Sequence, residues 1–398
     1  MKVTFVSNYI NHHQIPVSDV LYESLGKDYA FIQTEPMEEE RVKMGWGLKE
    51  NIPPYLLKLT DNPKVCLDRI ANSDVVIFGG TEREDLIKER LQAGKPVIRY
   101  SERLYREGQW KAVSPRGLVK KYHDHTRYSN SPVCLLCSGA YVADDFEIIR
   151  AYRGKRLKWG YFPRFVPSTE VEREKLKEGE CPRILWAGRF LKLKHAMDAL
   201  KAVNTMNLES IPFEMTFIGE GECEDELKEF TRSNGLEDKV HFTGFLSPEE
   251  VRDYMNRAAI FLFTSDFKEG WGAVVNEAMN SGCAVIASHA AGAVPFLIQD
   301  GVNGKIYKSG DVSSLTDSLR EVLMNEDKRK EYSKAAYDTI AMQWNPVEAG
   351  HRLLRLCESM KDGKVLFEEE GPLSAAQVIP QRKMYQFVKG NVNGTGRV

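Results

Sequence analysis

Two glutamates stand eight residues apart in the stretch EGWGAVVNEAMNSG, which runs from residue 269 to residue 282. The apolar run FLFTS before it predicts a buried strand, and GAVVNEAMNSG predicts a helix that starts close to Trp271 or Gly272. The first N–H groups of a helix have no partner inside the helix and form its positive dipole end. The residues Gly270, Trp271, Gly272 and Ala273 are therefore predicted to approach an anionic ligand such as a phosphate.

The positions of Glu269 and Glu277 favour recognition over acid/base chemistry. Glu277 lies about one turn inside the predicted helix, a rise of roughly 6 to 8 Å, and helical side chains lean back toward the N-terminus. Both carboxylates can then contact different hydroxyl-bearing parts of one elongated ligand. A pair that cleaves a glycosidic bond would instead face each other across that bond. An ordinary surface glutamate and a capping glutamate remain the alternative explanation.

A second stretch, RILWAGRFLKLKHAMDALKAV, repeats the arrangement of strand, glycine and helix. It places Arg189 and Lys194 just after a predicted strand end. Two cations beside a helix start suit a diphosphate, since arginine offers a planar fork and lysine a point charge. Ordinary surface charges in a loop are the alternative.

The elements that must position these residues alternate along the whole chain in two series. Apolar strand-like runs of the first series are KVTFVS, AFIQ, DVVIFGG, PVIRY and PVCLLC; those of the second are RILWAG, FEMTFIG, KVHFTG, AIFLFTS, CAVIAS and GKIY. Helical patterns lie between them, which predicts parallel sheets covered by helices on both faces. The predicted fold class is α/β, with two doubly wound, Rossmann-like domains facing across a cleft. Ligands of such sheets lie outside the carboxyl ends of the strands.

The length of 398 residues also favours two domains, since a single core rarely grows that large. We predict domains at 1–164 and 165–345. The segment 346–398 is predicted to form a helix that returns toward the N-terminal domain, followed by a tail whose final ten or so residues are mobile.

Composition excludes several classes of protein. Lys plus Arg number 55 and Asp plus Glu number 57, so the net charge of −2 provides no basic field for nucleic acid. The first residues lack an apolar signal region and no run of 18 apolar residues occurs, so we expect a cytoplasmic chain without a membrane span. Seven scattered cysteines indicate free thiols. Cys134 and Cys137 lie in an apolar run and are interpreted as structural.

The segment from about Arg183 to Ile340 resembles the nucleotide-binding domain of the family 4 (group 1) glycosyltransferases, which adopt the two-domain GT-B fold. The stretches that carry the resemblance are AGRFLKLKHAMDALKA, FIGEGE, VHFTGFLSPEEV, FLFTSDFKEGWGAVVNEAMNSGCAVIAS and DGVNGKIYKSGD. The resemblance implies that the second domain binds a nucleotide-diphosphate sugar and the first an acceptor. It also implies transfer with retention of anomeric configuration. We expect that no cofactor or metal ion is required, because neither series has a suitable acidic cluster at a strand end.

The resemblance assigns roles to particular residues. It implies that Arg189 and Lys194 hold the donor diphosphate, that Glu269 contacts the donor sugar and that Glu277 contacts the ribose. The loop with Phe242, Gly244 and Phe245 is similar to the one that contacts the base. We treat Arg189, Lys194 and Glu269 as the candidate catalytic residues.

The chain departs from the family pattern at two places. Members often have Lys-Gly where this chain has Lys194 and His195. In the N-terminal half they commonly have a glycine pair in the first loop and a histidine after the fourth strand, whereas this chain has SNYINHHQIP and YSERLYREGQW. His12, His13 and Glu102 occupy the corresponding loops and are candidates to contact the acceptor or the transferred sugar; solvated loop residues are the alternative.

These features together predict a sugar transferase whose acceptor is a glycan, a lipid-linked sugar or a small molecule, active in cell-surface polysaccharide or glycoconjugate synthesis. A nucleotide-sugar epimerase or phosphorylase of the same fold and a non-catalytic sugar-nucleotide-binding protein are the alternatives. A nicotinamide dehydrogenase is disfavoured, because FIGEGECED lacks a third glycine of the dinucleotide fingerprint.

The segment 103–127 combines seven basic residues with interspersed apolar ones. Such a mixture suits peripheral contact with an anionic membrane, which for a cytoplasmic chain is the inner face of the membrane. A solvated basic helix is an equally good interpretation.

Overall fold

The computed structural model describes residues 1–39 and 52–390. Thirteen strands within these residues form two parallel sheets. The strands are β1 (Val3–Ser7), β2 (Tyr29–Gln33), β3 (Leu56–Lys58), β4 (Val75–Gly79), β5 (Val97–Ser101), β6 (Val133–Ser138), β7 (Arg156–Trp159), β8 (Arg183–Ala187), β9 (Glu214–Ile218), β10 (Val240–Phe242), β11 (Ile260–Phe263), β12 (Ala284–Ser288) and β13 (Lys305–Tyr307).

Eleven of the α-helices in the described residues lie between strands, and four follow the last strand. They are α1 (Ile15–Leu25), α2 (Pro63–Asn72), α3 (Asp85–Gln92), α4 (Pro115–Asp124), α5 (Val142–Ile148), α6 (Glu170–Lys177), α7 (Ala196–Leu208), α8 (Glu224–Ser233), α9 (Pro248–Arg257), α10 (Val274–Asn280), α11 (Val294–Leu297), α12 (Val312–Met324), α13 (Glu326–Met342), α14 (Pro346–Lys361) and α15 (Met384–Gly390). Short 3-10 turns occur at several connections, including Lys192–Lys194 and Gln109–Val113.

The chain divides into two compact units. The first comprises 1–164 and 343–379, and the second comprises 165–342 and 380–398. The C-terminal segment predicted at 346–398 is thus shared between the units: α14 packs against α1 in the first, whereas α15 belongs to the second. The predicted mobile end falls largely on 391–398, which lie outside the described residues.

The first unit contains the seven-stranded sheet, in the order β3-β2-β1-β4-β5-β6-β7. Its central strands are buried on both faces and read as continuous apolar runs, as expected for a parallel sheet covered by helices. The order reverses direction between β1 and β4, so the loops after these two strands diverge there. Sequence patterns alone did not identify the edge strands β3 and β7, which are only three and four residues long.

The second unit contains the six-stranded sheet, in the order β10-β9-β8-β11-β12-β13. Here the reversal lies between the paired strands β8 and β11. The two stretches with candidate charged residues follow these same strands, so parallel pairing brings both to one edge of the sheet. A core of buried aromatic and aliphatic side chains, including Trp186, Phe190 and Phe217, supports that edge from below.

Candidate functional site

Lys194 and Glu269 meet at the switch point of the second sheet, which is the place between β8 and β11 where the strand order reverses. The ammonium group of Lys194, after β8, forms a short salt bridge with the carboxylate of Glu269, after β11. Only 18% of the lysine side chain and 16% of the glutamate side chain are exposed. The structure therefore brings together two residues that stand 75 positions apart and that the sequence placed in one site.

Hydrogen bonds fix the two loops against each other behind this pair. The Thr264 hydroxyl donates to the Lys194 carbonyl over 2.6 Å and accepts from the Trp186 indole N–H over 2.9 Å. The backbone N–H of Asp266 donates to the Leu193 carbonyl over 2.9 Å. Because Trp186 and Thr264 are buried, these contacts hold the charged pair on a rigid base.

Arg189 lies on the same connection as Lys194 but is exposed. Its loop is packed tightly against the loop after β9, where Gly219 has a φ of +134° and a Cβ would lie 2.0 Å from the Gly188 carbonyl oxygen. Only glycine fits at that position, so Gly219, the first glycine of FIGEGE, allows the two loops to pack closely. The Arg189 side chain is thus exposed to solvent on a tightly packed loop.

Glu277 lies in α10, which begins at Val274. The predicted start near Trp271 or Gly272 is thus two to three residues too early, because Gly272 has a left-handed φ of +90° that a helix cannot contain. Glu277 is half-buried, and burial raises the pKa of its carboxyl group, an effect that Arg252 opposes. The Arg252 guanidinium also donates to the Glu277 carbonyl over 3.3 Å.

The loop before α10 packs Trp271 and Gly272 into the fold. The Trp271 side chain is 1% exposed and its indole N–H donates to Asn276 Oδ1 over 2.8 Å, so this side chain supports the fold and is not at the surface of a site. A Cβ at Gly272 would lie 2.6 Å from the Phe263 ring, which explains this glycine without a ligand. Gly270 and Ala273 are half-exposed, so a ligand can approach the backbone at these two residues.

The loop after β10 has two different aromatic residues. Phe242 stacks on Phe217 with ring centroids 5.3 Å apart and packs against the core. Phe245 is 54% exposed, and its N–H donates to Glu220 Oε1 over 3.1 Å. Gly244 has a φ of +74° and accepts a hydrogen bond from the Gly219 N–H through its carbonyl. Of the residues assigned to the base-contacting loop, Phe245 is the one whose ring a ligand can reach.

The candidates of the first unit converge on Tyr161, which the sequence analysis did not identify. The rings of His12 and His13 lie 3.8 Å apart, and His13 stacks on Tyr161 with centroids 5.4 Å apart. The Tyr161 hydroxyl donates a short hydrogen bond to Glu102. His12 and His13 follow β1, Glu102 follows β5 and Tyr161 follows β7, so three loops at the carboxyl ends of one sheet supply this group.

This group is predominantly neutral. Burial lowers the pKa of His12 to about 4 and the pKa of His13 well below its ordinary value, with a further contribution from His12. Burial, Glu102 and Tyr100 together raise the pKa of Tyr161. At neutral pH the two imidazoles and the phenol are uncharged and can exchange hydrogen bonds with hydroxyl groups.

His195 occupies the position where the family often has glycine. Its backbone is left-handed, with φ +49° and ψ +40°, which explains why glycine suits this position. Its ring lies 3.3 Å from an oxygen of Asp266 and 3.6 Å from one of Asp198. The ring therefore lies between the carboxylates of Asp266 and Asp198. No sequence motif indicated this contact, because it joins separate loops.

Within the described residues, no group of three His, Cys, Asp or Glu side chains is arranged to hold a metal ion. Among the helices of those residues, none has both the length and the apolar character needed to cross a bilayer. All seven cysteines, which lie in the described part of the chain, are free, and Cys134 and Cys137 are buried in β6. Burial raises the pKa of the Cys134 thiol to about 12, in agreement with a structural role.

Comparison with known families matches residues 168–339 to glycosyl transferases group 1. The matched range lies within the second unit and includes every donor-side residue considered above. Arg189, Lys194, Glu269 and Glu277 therefore stand in a segment with the sequence pattern of that family.

Curated relatives agree with this match. The chain is 30% identical over 183 residues to the amylovoran biosynthesis glycosyltransferase AmsK of Erwinia amylovora, which covers 45% of each chain. It is 31% identical over 207 residues to the sulfoquinovosyl transferase SQD2 of Arabidopsis thaliana, which covers 51% of this chain and 38% of the relative. The chain thus spans about half or less of the length of these relatives.

Solved structures extend the likeness to most of the chain. HepE of Anabaena, solved in complex with UDP, has a TM-score of 0.65 at 15% identity, over 90% of this chain and 100% of HepE. A glycosyltransferase from Rickettsia africae has a TM-score of 0.66 at 14% identity, over 90% of this chain and 98% of the other. The likeness shows the fold, and the prediction of a GT-B fold with two Rossmann-like α/β domains is confirmed. That the domains face each other across a cleft stays a prediction.

Proposed function

We propose that the protein is a retaining glycosyltransferase of the family 4 type, which moves a sugar from a nucleotide-diphosphate sugar to a hydroxyl-bearing acceptor. The observation that carries the proposal is the Lys194–Glu269 pair at the switch point of the second sheet. A cation for a phosphate and a carboxylate for sugar hydroxyls stand side by side there. The match of residues 168–339 to a glycosyltransferase family supports the same conclusion.

Cleavage of the anomeric bond leaves negative charge on the departing diphosphate. Lys194, held in place by the Thr264 contact to its carbonyl, and the exposed Arg189 can stabilise that charge as it develops. Fixed charges of this kind lower the barrier because they need little reorganisation when the bond breaks. In this proposal a donor phosphate oxygen helps to deprotonate the acceptor, and neither a metal ion nor a cofactor takes part.

The two glutamates divide the donor between them in this proposal. Glu269 accepts hydrogen bonds from the donor sugar, next to the cation that holds the phosphates. Glu277, one turn inside α10, accepts from the ribose, and its partial burial keeps water from competing for that contact. Phe245, exposed on the loop after β10, contacts the base. The backbone of Gly270 and Ala273 approaches the phosphates.

The acceptor side of the proposal rests on the group around Tyr161. His12, His13 and Tyr161 are uncharged at neutral pH and Glu102 accepts a hydrogen bond from Tyr161, so together they suit the hydroxyl groups of a sugar. These uncharged groups also agree with the proposal that the acceptor hydroxyl gives its proton to a donor phosphate oxygen and not to a side chain of the first unit.

The relatives differ in the sugars and acceptors that their names state. They include a GDP-mannose-dependent phosphatidylinositol monomannoside mannosyltransferase of Mycobacterium tuberculosis and an N-acetyl-glucosaminyl malate synthase of Bacillus anthracis, each 24% identical. We therefore propose a nucleotide-sugar donor without assigning its base or sugar. AmsK, named for amylovoran biosynthesis, supports a place in surface polysaccharide synthesis.

A two-stage experiment tests this proposal. A thermal-shift panel of UDP, GDP, ADP and their sugars first identifies the donor, since saturation at 100 times Kd should add about 2.7 kcal/mol of stability. Proton NMR of the first product, with chelator-treated enzyme, then gives the anomeric configuration. We expect activity without added metal and the configuration of the donor. Activity that requires Mg²⁺ or Mn²⁺, or an inverted anomeric coupling, would overturn the mechanism.

We further propose that the first unit binds the surface of an anionic membrane on the cytoplasmic side, where a lipid-linked acceptor would be available. The segment Gln109–Val113 and helix α4 expose large apolar side chains: Trp110 at 71%, Val113 at 79%, Val119 at 58% and Tyr122 at 55%. Arg106, Lys111, Arg116 and Lys120 are exposed beside them. Apolar groups that enter the headgroup region and cations that attract anionic lipid are the combination used by peripheral proteins.

One residue of the predicted basic segment does not belong to this surface. Arg103 forms a buried salt bridge with Asp145, with side chains 3% and 0% exposed. It stabilises the first unit and has no access to a bilayer.

Vesicle co-sedimentation tests the membrane proposal. The protein should sediment with phosphatidylglycerol vesicles and remain in solution with phosphatidylcholine vesicles, and salt should weaken the association. Trp110→Ser combined with Val119→Ser should release it. The matched control is Val171→Ser, which changes a valine 74% exposed in the second unit. Equal sedimentation of all three proteins would refute the assignment of this surface.

A further inference from the structure

The ring of His195 links the two loops that carry the donor-side charges. It stands directly after Lys194, on the connection from β8, and contacts Asp266 on the connection from β11. Asp266 is itself fixed, because its other oxygen accepts from the Lys268 N–H over 2.8 Å. Its carbonyl also accepts from the Glu269 N–H over 3.1 Å. A movement of His195 would therefore reach both members of the Lys194–Glu269 pair.

The left-handed backbone of His195 would suit glycine better, but only histidine supplies the ring that contacts Asp266 and Asp198. Non-glycine residues rarely adopt the left-handed conformation found here, with φ +49°. Glycine would occupy the position without strain but could not contact Asp266 or Asp198. The chain therefore retains a less favourable residue where its ring joins two loops.

The charges around the ring favour an imidazolium. Asp198 of α7 faces Nδ1 and Asp266 faces Nε2, while Lys268 on the loop after β11 opposes them. The neighbouring charges of Lys194 and Glu269 are paired with each other. Only the protonated ring carries the charge that attracts both carboxylates, through the hydrogen bond to Asp266 and the 3.6 Å ion pair with Asp198.

We propose that His195 is a positioning residue that sets the geometry of Lys194 and Glu269 for the donor, and that its protonation makes donor binding dependent on pH. The proposal rests on the proposed function. The hydrogen bond to Asp266 and the charge of Asp198 raise the pKa of His195 above its ordinary value, against the effect of burial. The bridging contact is complete below that raised pKa and is lost as the pH rises through it.

Calorimetry of nucleotide-sugar binding between pH 6.0 and 8.5 tests this proposal. The probe is UDP-glucose, or GDP-mannose if the donor panel selects it, because the diphosphate of a nucleotide sugar has no ionisation in this range. Wild-type affinity should fall roughly five-fold toward pH 8.5, as part of one charge-assisted contact is lost. His195→Gly, which suits the left-handed backbone, should bind at all pH values with the affinity that the wild type has at pH 8.5.

Two further measurements separate the position of the ring from a general structural effect. Asp266→Asn retains an acceptor for the Lys268 N–H but removes the carboxylate, so it should flatten the pH profile as His195→Gly does. NMR titration of the His195 Cε1–H should give a pKa above 6.5 in the wild type, and a lower one in Asp266→Asn. This readout needs no ligand and is independent of the proposed function.

The outcomes discriminate between the two proposals. An equal pH dependence of donor affinity in wild type and His195→Gly would overturn the role of His195. So would a His195 pKa that Asp266→Asn does not lower. Failure of the wild type to bind any nucleotide sugar at any pH would overturn the proposed function, and the donor role of His195 with it. A lowered NMR pKa in Asp266→Asn would then still support the contact between the loops.

Discussion

The two units use the same sheet architecture but line their candidate sites with different chemistry. In the second unit, charged side chains face each other across the reversal between β8 and β11: Lys194 with Glu269, and His195 with Asp266. In the first unit, His12, His13 and Tyr161 form an uncharged group with Glu102 as the single acid. The difference agrees with the proposed transfer of a sugar from an anionic donor to a hydroxyl-bearing acceptor.

This comparison also explains why substitutions should separate the two substrates. Removal of a charged side chain from the second unit should weaken diphosphate binding most, because hydrogen bonds to charged groups are the stronger ones. Removal of a neutral group from the first unit should weaken the use of the acceptor, by a smaller factor.

The largest effect is expected from Lys194→Ala. A phosphate that loses a charge-assisted partner loses roughly 1.5 to 3 kcal/mol, so nucleoside-diphosphate affinity should fall roughly 10- to 100-fold and transfer should fall with it. Arg189→Ala should act in the same direction with a smaller loss, since its side chain is exposed. Calorimetry measures both.

The matched control for these variants is Lys192→Ala, which removes an exposed lysine from the same 3-10 turn. It should bind the nucleoside diphosphate like the wild type. Unchanged affinity in Lys194→Ala and Arg189→Ala would exclude both residues from the donor site.

Tyr161→Phe tests the neutral side of the comparison. The phenyl ring keeps the stack on His13 but loses the hydroxyl that donates to Glu102. Transfer should fall roughly 10-fold, because the carboxylate loses one hydrogen bond, while donor affinity stays the same. Steady-state kinetics with varied acceptor, together with donor calorimetry, checks this, and Tyr254→Phe, at a tyrosine 37% exposed in the second unit, is the control. Weaker donor binding in Tyr161→Phe would contradict the assignment.

The smallest effect concerns stability and pH. Burial lowers the pKa of His12 to about 4, so this group favours the folded state at neutral pH and opposes it as the pH falls from about 6.5 toward 4. Between pH 7 and pH 5 the wild type should lose about 1 to 2 kcal/mol more unfolding free energy than His12→Gln. Urea unfolding at both values gives the difference. Exposed His351→Gln should follow the wild type, and a His12→Gln profile parallel to the wild type would refute the burial of a neutral ring.

Much of the second unit could be predicted because its signals are local. Alternating strand and helix patterns located the strands of its sheet, and the resemblance named Lys194 and Glu269. Their meeting follows from topology, since the loops after two adjacent parallel strands share one edge. The start of α10 was placed too early because the left-handed turn at Gly272 depends on the Phe263 ring, which belongs to another element.

The parts that could not be predicted depend on contacts between distant segments. Trp271 lies in a glycine-rich loop predicted to approach an anionic ligand, and no sequence pattern indicated that its indole N–H donates to Asn276 inside the fold. Tyr161 follows a four-residue edge strand, in a segment without periodicity, and contacts His13 and Glu102 from other loops. A single sequence contains no pattern that reports such side-chain packing.

The most direct test of the proposed donor site compares a nucleotide sugar with its bare nucleoside diphosphate in two variants. Calorimetry of both ligands with Glu269→Ala and Glu277→Ala measures which part of the donor each carboxylate contacts. Glu277→Ala should weaken both ligands, because the ribose is common to them. Glu269→Ala should leave the bare diphosphate nearly unchanged while the sugar's contribution to binding and the transfer activity are lost. Equal losses of bare-nucleotide affinity in the two variants would contradict the proposed donor site.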